Sequence, residues 1–89
     1  MGAHVTKIFL IDDDIIFCKG MQRALENEGD VDVSTFNTGE DFLNNLHNNP
    51  DIVIADYHLP GINGIEILKK VKQYNEDISI IVLSGHEKG

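Results

Sequence analysis

The stretch Val5-Thr6-Lys7-Ile8-Phe9-Leu10-Ile11-Asp12-Asp13-Asp14 decides the fold. Its first part is an apolar run, and it ends abruptly in three aspartates. A strand covered on both faces reads as a near-continuous hydrophobic run, the pattern of parallel sheets flanked by helices. A second run, Ile52-Val53-Ile54-Ala55, also ends in an acid, Asp56. In open α/β sheets, ligands bind just outside the carboxyl ends of the strands. Two such strands side by side would bring Asp12, Asp13 and Asp56 into one small space. Close carboxylates repel unless a cation joins them. Oxygen-only ligation suits a hard ion such as Mg²⁺, which takes one or two carboxylates together with phosphate oxygens and water. The expectation is an acidic Mg²⁺ pocket suited to phosphoryl chemistry.

Outward from these runs, strands and helices alternate. Residues 5–11 form the first strand. Phe17, Met21, Ala24 and Leu25 recur at helical spacing from about Asp14 to Glu28, and Gly29 follows as a stop. Asp14 suits the helix start as a cap or first-turn acid. Val31–Thr35 alternates as a short strand. Thr38 is a candidate N-cap, with Asp41 three residues on. Phe42, Leu43 and Leu46 then give an apolar helix face, and Asn48-Asn49-Pro50 ends it. Residues 52–55 form the third strand. Pro60-Gly61 and Asn63-Gly64 mark a loop, with Gly64 expected to adopt a conformation other residues resist. Ile65, Leu68 and Val71 predict a third helix, to about Tyr74, and Ile78–Leu83 a fourth strand that runs into Ser84-Gly85. This βαβαβαβ order predicts a doubly wound parallel α/β sheet with right-handed crossovers.

Composition narrows the function. Eighty-nine residues allow one small domain. A net charge of −8 argues against direct nucleic-acid binding, since phosphate backbones need Lys and Arg. The single cysteine, Cys18, makes no internal disulfide and reads as a small core or boundary residue. No stretch is apolar for long enough to span a bilayer, and no secretory signal is legible. The expectation is a cytoplasmic protein with no membrane contact.

A carboxylate can act as a nucleophile towards phosphorus. The loose transition state needs in-line placement and charge stabilisation, which flanking carboxylates and Mg²⁺ supply. A hydroxyl on the neighbouring strand end, Ser84, can hydrogen-bond a phosphoryl oxygen. Strand-terminal aspartates often do no more than cap helices or turns, but the acidic pair, Asp56 and Ser84 occur together on successive strand ends.

Three segments in combination carry a resemblance: Ile8–Asp14, Asp51-Ile52-Val53-Ile54-Ala55-Asp56-Tyr57-His58-Leu59-Pro60-Gly61-Ile62-Asn63-Gly64, and Ile80-Ile81-Val82-Leu83-Ser84-Gly85-His86, with Thr38-Gly39-Glu40 at the second helix start. Together they resemble the receiver domain of two-component response regulators. The resemblance implies a flavodoxin-like fold. It implies that Asp56 accepts a phosphoryl group from a sensor histidine kinase or a phosphotransfer protein, without the domain being an enzyme. It implies Mg²⁺, or Mn²⁺ in its place, on Asp12, Asp13, Asp56 and the backbone carbonyl of His58. Ser84 would be the switch hydroxyl. The His58 and His86 side chains are expected to be exposed in loops.

The family pattern continues beyond the Ser84 strand through a fourth helix, a fifth strand ending in lysine, and a fifth helix. Lys88 follows Ser84 too closely to be that lysine. Residues 1–89 are therefore expected to form a truncated receiver domain, strand order 2-1-3-4, with the fifth strand and last helices missing. Its fourth strand would be an open edge, and a homodimer through that edge or a swapped element is expected. Two other functions stay open. One is a non-phosphorylatable, self-associating interaction module. The other is a phosphohydrolase resembling the haloacid dehalogenases, whose D-x-D nucleophile motif Asp12-Asp13-Asp14 contains, but which would leave Asp56 unexplained.

Overall fold

The protein is described by a computed structural model covering residues 4–83. Four parallel strands, β1 (Thr6–Ile11), β2 (Val31–Phe36), β3 (Ile52–Asp56) and β4 (Ser79–Leu83), form one sheet in the order β2-β1-β3-β4. The register aligns Ile11 with Phe36 and with Ala55, and Asp56 with Leu83. Three helices make the crossovers: α1 (Ile15–Asn27), α2 (Gly39–Asn44) and α3 (Gly64–Tyr74). This is the doubly wound order that the sequence implies.

The reason β1 reads as an unbroken apolar run is now visible. Phe9 and Ile11 point to one side, into a core with Phe42 of α2 and Ile67 and Val71 of α3. Ile8 and Leu10 point to the other side, against Cys18, Met21 and Leu25 of α1. Both faces of the strand are therefore covered, as the period-2 geometry of a parallel sheet requires. Phe9, Phe36 and Phe42 pack edge-on or tilted, with centroids 4.9 to 6.1 Å apart, the arrangement that ring quadrupoles favour.

Each helix starts on a side-chain cap. Asp14 Oδ1 accepts from Phe17 N at 3.0 Å, Thr38 Oγ1 from Asp41 N at 3.1 Å, and Asn63 Oδ1 from Glu66 N at 3.0 Å. Caps of this kind stabilise a helix by about 1 kcal/mol each.

The helices also correct the sequence reading in three places. On α1 Cys18 is buried, as expected of a core or boundary residue, but Ala24 of the expected apolar face is exposed. The helix does end where the sequence places it, with Gly29 just past the Glu28 cap and without a positive φ. The second helical segment is not continuous. It stops at Asn44, and a 3₁₀ turn over Leu46–Asn48 follows, ending on left-handed Asn49. The Asn45 amide donates back to Asp41 O at 2.8 Å, the competition with the backbone that makes Asn a poor helix interior residue. The third correction concerns α3. Its buried residues are Gly64, Ile67 and Val71, while Ile65 is 40% exposed. Gly64 sets this rotation. A Cβ there would lie 3.1 Å from Asp56 O and 3.0 Å from Val82 Cγ1, so a residue without one must face the sheet. Close approach, not a positive φ, is what Gly64 provides; the positive φ of 84° belongs to Gly61.

The two sheet edges differ. At β2, Gln22 Nε2 donates to Val33 O at 2.7 Å and Val33 N donates to Glu26 Oε2 at 3.2 Å. Side chains of α1 thus occupy outward backbone groups of that edge. At β4, Ile81 is 49% exposed, and no further strand lies beside it among the described residues.

Candidate functional site

The carboxyl ends of β1 and β3 lie next to each other because Ile11 and Ala55 are register partners. The next residue on each chain is an aspartate. Asp12 and Asp56 are buried, at 0% and 1% exposure, while Asp13 is exposed. Carboxylate oxygens of Asp12, Asp13 and Asp56 all lie within 4.8 Å of one another. The three acids singled out in the sequence therefore do converge.

Backbone geometry aims them. Asp12 N donates to Phe36 O at 3.0 Å, so β2 holds the chain as β1 ends. Asp12 Oδ1 accepts from Asp14 N at 2.9 Å, and Asp56 Oδ1 accepts from His58 N at 3.1 Å. Each buried carboxylate thus receives an amide from two residues downstream. Gly64 N donates to Tyr57 O at 3.2 Å and Leu59 is buried in the core, which pins the loop that follows β3. The His58 side chain is exposed, as expected, with its ring edge-on to Tyr57 at 5.0 Å. Asp14 is a helix cap and stays out of the acidic cluster. Ser84 and His86 lie outside the described residues. Leu83, the residue before Ser84, is level with Asp56.

Two groups at the site escaped the sequence reading. The Asn37 side-chain amide donates to Asp12 O at 3.0 Å, and Cys18 Sγ donates to the same carbonyl at 3.4 Å. Burial pushes the Cys18 thiol up to about 11, and the Asp12 charge pushes in the same direction. Cys18 therefore stays a neutral donor. The only sequence signal for Asn37 was its place in Asn37-Thr38-Gly39, just before a helix start.

The donor set fits a hard divalent ion. Oxygens sharing one octahedral Mg²⁺ shell lie at most about 4.2 Å apart. The oxygens of the three carboxylates lie within 4.8 Å of one another, about 0.6 Å above that span, on an oxygen-only site.

Residues 8–89 match the family model of the response regulator receiver domain. The chain is 38% identical over 81 residues to a protein-glutamate methylesterase/protein-glutamine glutaminase of Clostridium acetobutylicum, covering 89% of this chain and 24% of that one. It is 33% identical over 91 residues to the transcriptional regulatory protein DegU of Brevibacillus brevis, covering 98% and 38%. The chain thus spans well under half the length of these curated relatives. A response regulator receiver domain protein from Clostridium thermocellum superimposes with a TM-score of 0.85 at 30% identity, over 91% of this chain and 66% of that one. With its sheet order, its converging strand-end aspartates and these matches, the chain belongs to the response regulator receiver domain family.

Proposed function

We propose that Asp56 is the phosphoacceptor of a two-component signalling domain and that Asp12, Asp13, Asp56 and the His58 backbone carbonyl hold the Mg²⁺ it requires. Receiver domains accept phosphoryl groups and bind Mg²⁺ through acidic residues. The observation that carries the reading here is the convergence of three carboxylates at the ends of β1 and β3. When bound, the ion supplies positive charge against the equatorial phosphoryl oxygens. The chain's own residues do the rest. Asp56 is buried, and one of its oxygens accepts from the His58 amide, which orients the carboxylate at the end of β3. In the transfer, an Asp56 oxygen forms the new bond to phosphorus. The phosphorus–nitrogen bond of a phosphohistidine breaks, and its electron pair returns to the imidazole. Ser84 would hydrogen-bond a phosphoryl oxygen of the product. The donor is a sensor histidine kinase or phosphotransfer protein. The −8 charge supports a protein partner over nucleic acid. No helix among the described residues is long and apolar enough to cross a membrane, and we assign the domain to the cytoplasm with its kinase partner.

The test is intact mass after incubation with Mg²⁺ and acetyl phosphate. One added phosphoryl group is expected, absent without Mg²⁺ and absent in Asp56→Asn. No adduct on the folded chain would refute the reading. A second reading, self-association through β4, is favoured by one contrast. The β2 edge is covered by Gln22 and Glu26, whereas Ile81 on β4 is half exposed. Sedimentation velocity tests it, with a monomer at high concentration as the refuting result.

A further inference from the structure

Asn37 lies in the β2–α2 connection and carries no charge, so nothing in the phosphoryl chemistry calls on it directly. Its position is nevertheless specific. Its side-chain amide donates to Asp12 O at 3.0 Å and stands 4.0 Å from Cys18 Sγ, which donates to the same oxygen at 3.4 Å. On the other side of the same residue, Asp12 N donates to Phe36 O. Both backbone polar groups of Asp12 are thus held by the β2 end or its connection. The Asp12 carbonyl belongs to the peptide unit that joins Asp12 to Asp13, so its orientation sets the ψ of one acid and the φ of the other. We infer that Asn37 is a positioning residue that locks the Asp12–Asp13 peptide plane and thereby aims two of the three carboxylates at a shared cation. The inference rests on the Mg²⁺ site proposed above.

The physical basis is the low tolerance of a small ion. Mg²⁺ demands near-ideal octahedral distances, and two acids on consecutive residues cannot adjust independently once their common peptide rotates. Cys18 alone is a poor substitute for the Asn37 amide, because a thiol is a weak donor. Residues that orient metal ligands through one hydrogen bond typically change metal affinity by about 10–100-fold when removed.

The experiment is an Mg²⁺ titration of the full chain, followed by amide chemical shifts, for wild type, Asn37→Ala and Asn37→Leu. Leucine keeps similar reach and removes the donor. Lys72→Met, whose bonds lie at the far end of the sheet, serves as the control for general destabilisation. The expected result is an Mg²⁺ Kd raised about tenfold in both Asn37 variants and changed less than twofold in Lys72→Met. Without metal, the Asp12 carbonyl carbon resonance of both Asn37 variants should move upfield, as a carbonyl does on losing a donor. Unchanged Mg²⁺ affinity in the Asn37 variants would overturn the inference. Equal loss in Lys72→Met would also overturn it, by reducing the effect to stability. Unfolding of both variants would make Asn37 a folding residue instead. A wild type that does not respond to Mg²⁺ would refute the proposed metal site itself, and this inference with it; the wild-type titration alone distinguishes that case.

Discussion

Neutralising Asp12 should stabilise the metal-free protein and remove its response to Mg²⁺. Asp12 and Asp56 are both buried, with carboxylate oxygens within 4.8 Å. At that distance two full charges repel by about 3.5 kcal/mol for an effective dielectric constant near 20, and by about 0.9 kcal/mol if water screens them fully. Asn is isosteric and keeps an oxygen to accept the Asp14 amide, though the neutral bond is weaker by about 1 kcal/mol. The net expectation for Asp12→Asn in EDTA is a gain of about 2 kcal/mol, or roughly 10 °C in Tm for a domain of this size. Mg²⁺ then acts in the opposite sense. At a hundred times its Kd it stabilises the wild type by about 2.7 kcal/mol and the variant by little. Thermal melts of both proteins in EDTA and in excess Mg²⁺ should therefore cross: the variant is more stable without metal, the wild type with it. A variant less stable than wild type in EDTA, or one with an equal Mg²⁺ shift, would refute the electrostatic account.

Three further outcomes are expected. A Cβ at Gly39 would collide with the Ile62 Cγ2 methyl, so Gly39→Ala should lower Tm by several degrees, and Ile62→Ala in the same chain should restore part of the loss; a neutral Gly39→Ala in differential scanning calorimetry would contradict this packing. Lys72 Nζ donates to Glu76 O at 3.0 Å and Ile78 O at 2.7 Å, so Lys72→Met should cost about 1–3 kcal/mol in urea unfolding, and no change in midpoint would show that water replaces those bonds. The Lys7 amide, with a smaller contribution from His4, holds Asp51 below the usual carboxylate range. Its contribution to stability is therefore present above the unfolded value and is lost as pH falls through the folded one. Asp51→Asn should flatten the acid limb of stability below about pH 4, and an unchanged pH profile would remove Asp51 from the account.

The fold was legible because the parallel strands announce themselves. β1 and β3 are apolar on both faces, and each ends in acid at the edge where the site lies. Asp12, Asp13 and Asp56 were legible for the same reason: position at a strand end is one-dimensional information. Helix rotation is not. The face of α3 depends on how closely Gly64 approaches Asp56 and Val82, which periodicity alone misses when Ile65, Ile67 and Leu68 all offer apolar stripes. The break after Asn44 came from a side chain competing for a backbone carbonyl. Asn37 was invisible because its partner, the Asp12 carbonyl, is brought to it only by the β1–β2 pairing. Ser84, predicted as the switch hydroxyl, falls outside the described residues.

The central place of β1 also governs how the chain reaches this structure. Its two neighbours are distant in sequence: Thr6 pairs with Val31, and Ile8 with Ile52. Neither ladder can close as a local hairpin, so both carry the loop-closure entropy that slows parallel sheets. During synthesis β1 emerges before β2, and its last partner, β3, much later. Until then Ile8–Ile11 is an apolar segment with one side still open, of the kind that aggregates, and the aspartates that follow it supply charge that discourages self-pairing before the acidic pocket exists. Alternate amides of β1 face β2 and β3, so hydrogen-exchange protection along Ile8 to Ile11 follows the closure of both ladders at once.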